Sequence, residues 1–383
     1  MTDFTIPLSE PDVTRTELDA VLTALGASRL SGGPAVEEFE AAFAAYLGRR
    51  HAVAVASGTL GLLLALKAHG IGSGQEVIVS PYSWHEIAHA VVAVGATPVF
   101  ADIDYWSGTL APDKVAERIT PATRVLVAAN TNGHPAPWEP LRALAQQHGL
   151  TLIEDSTEAI GSRYQGRLVG GFGDCAVFDF SRPGPMACGE GGMVVTDDDV
   201  LARKLRHLRG RRPEERASVV IGAIPLYQAR MGELAAALGL VQLGRLDEIL
   251  ACRKQAEHWY FEHIKSFEGI KDPYIAPEAG EVHWFLYLVH LGTRFTRSSR
   301  DAIVDDLRTA GVEAYAYSAP LHRQRYYLER TPTPQKLFVT EKVADRAVAL
   351  PFHGGLDEDQ IGFIVQTMKD ASVNVGAGSA IYL

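Results

Sequence analysis

Apolar residues in the first fifty positions recur at helical spacing. Thr14, followed three residues later by Glu17, forms a capping-box pattern, and Leu18, Val21, Leu22 and Leu25 then fall on one helix face. Val36, Phe39, Phe43, Tyr46 and Leu47 predict a second helix. Beyond it the pattern changes to short apolar runs separated by helical stretches: AVAV from residue 52, EVIV from 76, PVFA from 98, VLVAA from 125, TLIE from 151, CAVFDF from 175 and GMVVT from 192. That rhythm predicts an α/β fold, a mostly parallel sheet wrapped by helices. The apolar stretch ELAAALGLVQLGRLDEIL predicts a long helix leading out of this sheet domain, which places a boundary near residue 250. The chain thus divides into a large domain, 1–250, and a small one, 251–383. In the second, strand-like WFLYLVHL, a helix after Ser299 and a final helix near Asp357 predict a compact α+β unit.

With 383 residues and 47% hydrophobic content, the chain can bury a large core. Its 46 acidic and 36 basic residues leave a net charge of -10, so nothing favours phosphate backbones or anionic lipid as partners, and a small-molecule substrate is expected. The N-terminus has no basic stretch followed by an apolar core, and no run approaches the ~20 apolar residues of a membrane span. Cys175, Cys188 and Cys252 cannot all pair and lack metal-ligand spacing, which suits a reducing compartment; cytoplasmic localisation is the expectation.

Two segments carry candidate chemistry. Ser57-Gly58-Thr59 follows a strand and opens a helix, where free N–H groups and the helix dipole can hold an anion, or simply form an N-cap turn. His85-Glu86-Ile87-Ala88-His89 matches HExxH in form, so that His85 and His89 could share zinc with Glu86 activating water. No third ligand is identifiable, and His85 and Glu86 read better as acid–base or substrate-binding groups; solvated residues at a helix start would look the same.

The stretches IPLSEPDVTRTELDAVL, LSGGPAVEEFEAAFAAYLG, HAVAVASGTLGLLLAL, GATPVFADID, LIEDSTEAIGSRYQGRLVGGFGD, GEGGMVVTDDD, AALGLVQLGRLDEIL and APLH span nearly the whole chain. Together they resemble the DegT/DnrJ/EryC1/StrS sugar-aminotransferase family. The resemblance implies a fold-type I architecture with a seven-stranded sheet and an active site at a homodimer interface. Usual members move an amino group onto keto sugars or cyclitols with pyridoxal phosphate (PLP).

Residue by residue, the resemblance puts Gly58 and Thr59 at the cofactor phosphate, Trp84 over the pyridine ring and Asp155 at the ring nitrogen. It also exposes departures. The segment FDFSRPGPMACGEGG has Gly184 where the family places its cofactor-binding lysine, and Ser181–Cys188 holds neither lysine nor histidine. Asp179 replaces a phosphate-binding serine, Gln228 an asparagine reaching in from the neighbouring subunit, and Glu158 a glutamine near the ring. Facing a phosphate at about 4 Å, Asp179 would be repelled by roughly 1–4 kcal/mol. Tyr315, Tyr317 and His322 of the APLH region are implied substrate contacts.

These departures set the functional expectation: a biosynthetic enzyme without lysine-bound PLP, with PLP itself disfavoured and zinc a lesser alternative. Asp155, Glu158 and Asp179 would form a carboxylate cluster that, with His85 and Glu86, performs acid–base chemistry such as cyclisation, condensation, elimination or isomerisation on a sugar-like or cationic substrate. Two alternatives stand beside it: sugar or cyclitol amination or deoxygenation with non-covalently held pyridoxal or pyridoxamine phosphate, and a non-catalytic subunit that pairs with an active homologue.

Overall fold

The computed structural model describes residues 4–83, 87–181, 183–210, 226–265, 267–329 and 336–380. Helix α1 (Arg15–Leu25) starts at the capping box: the Thr14 N–H donates to Glu17 Oε2 (2.8 Å) and the Thr14 hydroxyl accepts from the Thr16 N–H. Its leucine stripe does not face the core. Leu18, Leu22 and Leu25 are 51%, 59% and 51% exposed, while the buried face centres on Glu17. The second Glu17 oxygen receives Gln242 Nε2 (2.9 Å) and Arg245 Nη1 (2.6 Å). An apolar stripe at helical spacing does not by itself say which face of the helix meets the core.

Burial raises the Glu17 pKa, but hydrogen bonds from Thr14, Arg245 and Gln242 outweigh it and hold the carboxyl at about 2. Because this lies below the unfolded value of 4.5, the stabilisation is complete above pH 4.5 and is lost as pH falls toward 2. Its size is up to about 3 kcal/mol. Urea unfolding of Glu17→Gln should therefore vary less with pH across that window than the wild type, and parallel profiles would show that Glu17 is not the sensitive group.

Helix α2 (Pro34–Leu47) is capped from far away: the Gly33 and Ala35 N–H groups donate to the Glu233 carboxylate at 2.8 and 2.9 Å. The main sheet follows, with β1 (His51–Val55), α3 (Gly58–Ala68), β2 (Glu76–Val79), α4 (Ile87–Ala93), β3 (Thr97–Phe100), β4 (Thr123–Ala129) and β5 (Thr151–Asp155). A small hairpin, β6 (Arg163–Tyr164) and β7 (Arg167–Leu168), precedes β8 (Cys175–Asp179) and β9 (Gly192–Thr196). The strand order is β1-β9-β8-β5-β4-β2-β3, and only β9 opposes the common direction. Helices cover both faces. Val53, Val77, Val127 and Ile153 pack under α3 and α4, and Ile78, Leu126 and Leu152 pack on the other side with Trp138 and Leu141. Burial on both faces is why these strands read as unbroken apolar runs.

The C-terminal unit is a four-stranded antiparallel sheet, order β10-β11-β13-β12, from β10 (Ile270–Lys271), β11 (Tyr287–Leu291), β12 (Tyr315–Ala316) and β13 (Ala347–Leu350). Helix Leu246–Ile264 runs through residue 250 and stacks Tyr260 on Tyr287 with ring centroids 4.1 Å apart. The chain start also reaches this unit: Ile6 bridges Val312 and packs in the same core. Among the described residues, no helix is long and apolar enough to cross a membrane.

Candidate functional site

The carboxyl ends of β5 and β8 and the start of α3 converge, the place where open α/β sheets bind ligands. Ser57, in extended conformation, caps α3 by accepting the Leu60 N–H on its Oγ (3.2 Å). Asp179, the last residue of β8, reaches the same helix end: its Oδ2 accepts the Gly58 N–H at 2.6 Å. Its Oδ1 accepts the Ser181 N–H (2.8 Å) and the Ser181 hydroxyl. A Cβ on residue 58 would lie 2.8 Å from the Asp179 Cβ, so glycine is what lets the carboxylate sit there. Negative charge is thus already placed on the positive end of the helix.

Asp155 ends β5 and pairs in register with Val177 of β8. Side chains alternate along strands, so Asp155 continues the row of Ile153 and Asp179 that of Val177, both on the side covered by α3. Asp155 is buried and its Oδ1 accepts the Thr157 N–H (3.0 Å).

Glu158, expected as the third member of a carboxylate cluster, is engaged elsewhere. It accepts the Ser83 hydroxyl (2.9 Å), the Asn132 N–H (2.5 Å) and the Tyr317 hydroxyl. These bonds join the sheet domain to the C-terminal unit. Ser318 Oγ donates to the Ser83 carbonyl (3.0 Å), and Asn132, in the left-handed region at φ 51°, accepts the Phe285 and Leu286 N–H groups. At Gly133 a Cβ would stand 2.2 Å from the His283 carbonyl oxygen, because the two backbones cross there. Asn132 and this crossing were not among the sequence candidates; the Asn-Gly pair in NTNGH was the available signal.

Of the three implied substrate contacts, only Tyr317 meets a sheet-domain candidate. The Tyr315 hydroxyl donates to Glu313 (3.1 Å), and buried His322 contacts Glu341 (3.1 Å), its pKa lowered by burial against the pull of that carboxylate. Gln228 is exposed at φ 50°, next to Ala229, whose carbonyl accepts the Ala56 N–H. His89 stacks on Tyr327 (6.0 Å). Trp84, His85 and Glu86 lie outside the described residues. Among the described residues, no group of three His, Cys, Asp or Glu side chains is arranged to hold a metal.

Over residues 11–369 the chain matches the DegT/DnrJ/EryC1/StrS aminotransferase family. It is 34% identical over 370 residues to the GDP-perosamine synthase of Caulobacter vibrioides, covering 96% of this chain and 98% of that protein. Among solved structures, S. venezuelae DesV in complex with a ketimine intermediate is 33% identical with a TM-score of 0.85, covering 93% of this chain and 94% of that one. The PLP-form of the putative sugar aminotransferase Spr1654 from Streptococcus pneumoniae shares the fold, with a TM-score of 0.89 at 24% identity over 97% and 99% of the two chains.

These comparisons correct the cofactor expectation. The reading in which PLP is disfavoured and zinc is the lesser alternative rested on the substitutions at Gly184, Asp179, Gln228 and Glu158 taken together. It gives way to an aminotransferase family match over nearly the full chain and a 33% identical structural neighbour solved in complex with a ketimine intermediate. The residues present fit such a group. Asp155 offers a buried carboxylate for a ring nitrogen, and the α3 N-terminus already holds one anion, the Asp179 carboxylate, as a stand-in for a phosphate.

Proposed function

Because the chain belongs to the DegT/DnrJ/EryC1/StrS aminotransferase family, we propose that it aminates or deoxygenates a keto sugar or cyclitol with pyridoxal or pyridoxamine phosphate held non-covalently. One observation carries the reading: a buried carboxylate, Asp155, ends β5 in a chain that has no lysine between Lys114 and Lys204. The loop after β8 is shaped for that absence. Gly184, between Pro183 and Pro185, has φ 151°, a backbone conformation in which a side chain would be strained. Lys204 offers no substitute, since its Nζ donates to the Ala68 carbonyl at the far end of α3.

Bound in this site, the cofactor supplies an electron sink for the substrate carbon. Asp155 would hold the ring nitrogen protonated, and the α3 N-terminus would take the phosphate. Proton transfer at the substrate would fall to His85 or Glu86, the acid–base candidates of the HEIAH stretch. The Glu158–Tyr317 bond holds the C-terminal unit against the sheet domain and so fixes one wall. A second copy of the chain covers the outward stripe of Leu18, Leu22 and Leu25 and brings exposed Gln228 to the neighbouring site.

Absorption titrations with PLP and pyridoxamine phosphate should saturate, dialysis should remove both, and borohydride treatment of the PLP complex should leave the chain mass unchanged. A borohydride-stable adduct on a lysine would refute the non-covalent reading. A protein that titrates with neither compound would refute the cofactor assignment.

A further inference from the structure

A serine at residue 179 would leave the α3 N-terminus open to a ligand; this chain instead seats its own carboxylate there. The seat is built on both sides. Gly58 is the residue that admits Asp179, whose Cβ would otherwise collide with a Cβ at 2.8 Å, and the second carboxylate oxygen is tied to Ser181. Asp179 is also fixed at its backbone, because it pairs with Gly192 of β9 at the end of β8. Only side-chain rotation can clear the helix end, and the displaced carboxylate then remains within a side chain's length of whatever anion has replaced it.

We propose that Asp179 is a built-in competitor for the cofactor's phosphate, so that pyridoxal or pyridoxamine phosphate enters and leaves as an exchangeable co-substrate rather than staying as a resident group. The inference rests on the cofactor reading above and adds to it. A lysine bond would retain the ring even with a poorly held phosphate; without one, the contest between one carboxylate and one phosphate for the same N–H group controls how long the cofactor stays. The discrimination is specific to the phosphate, because Asp155 and the ring contacts are the same for phosphorylated and unphosphorylated vitamers. The carboxylate at the helix end also satisfies the Gly58 N–H, which an empty site would leave to water, in addition to the Ser57 cap.

The test uses the full chain, wild type and with Asp179→Ser or Asp179→Asn, titrated by fluorescence with pyridoxamine phosphate and with pyridoxamine. Asp179→Ser should bind pyridoxamine phosphate about tenfold tighter or more, about 1.4 kcal/mol, with Asp179→Asn between it and the wild type. Pyridoxamine should bind all three alike, and both free variants should melt earlier than the wild type because the Gly58 N–H at the positive end of α3 has lost its carboxylate. If pyridoxamine phosphate binds the wild type and both variants equally, or binds the variants more weakly, the competitor role is wrong and the cofactor reading stands. An equal gain for pyridoxamine would also overturn it, by showing that the phosphate is not what Asp179 opposes. If neither compound binds any of the three proteins, both readings fall.

Discussion

Asp155→Asn should lower turnover of the cofactor-loaded protein by about 10²–10³-fold, the usual cost of losing one preorganised charge at a reacting group. Asparagine is the informative replacement. Asp155 is buried at the end of β5 and its Oδ1 accepts the Thr157 N–H at 3.0 Å, a bond that an amide oxygen can keep. The local turn therefore survives while the negative charge disappears. Alanine would remove both and confuse folding with chemistry. Single-turnover rates with pyridoxamine phosphate and a keto sugar measure the effect, with the melting temperature as a control. A rate within a few-fold of wild type would remove Asp155 from the chemistry.

The largest effect on stability should come from Glu154, which points to the opposite face of the same strand. It is fully buried and accepts five donors: Asn130 Nδ2 (3.0 Å), Ser156 Oγ (3.0 Å), and the N–H groups of Gly170 (2.5 Å), Phe172 (2.8 Å) and Gly173 (3.3 Å). Asn130 extends the network by accepting the Ala136 N–H and the Trp138 Nε1–H. Glu154→Ala would leave these donors facing a cavity, and removing one member of such a buried network costs about 3–5 kcal/mol. Glu154→Gln should be milder, since its carbonyl oxygen keeps part of the set while its amide group opposes the remaining N–H donors. Urea unfolding would measure both, and a loss under about 1 kcal/mol for alanine would show that water takes over the bonds.

Local patterns in the sequence reached the elements but not their partners. Thr14 and Glu17 gave the start of α1 because a capping box is complete within four residues, and AVAV, EVIV and TLIE gave strands because burial on both faces leaves no polar alternation to confuse. The direction of the leucine stripe was hidden, since spacing cannot tell whether an apolar face turns to the core or outward. The same holds for the carboxylates. Asp155 was legible as a residue at a strand end. The capping of α3 by Asp179 depends on a contact 121 residues apart, and Glu158 was drawn into a joint with Tyr317, 159 residues away. Tyr315 and His322 shared a motif with Tyr317, yet two residues along a strand, or a turn beyond it, were enough to give them other partners.

The remote cap of α2 has a consequence for how the chain comes to be folded. Glu233 lies 200 residues beyond Gly33, so on the ribosome the amide groups that open α2 emerge long before their acceptor exists. At about 5–20 residues per second, they wait roughly 10–40 s. Until then α2 can be only a fraying helix, and the β1 edge it will cover stands open. The N-terminal segment thus waits undocked through much of synthesis, because the acceptor for its cap is made 200 residues later.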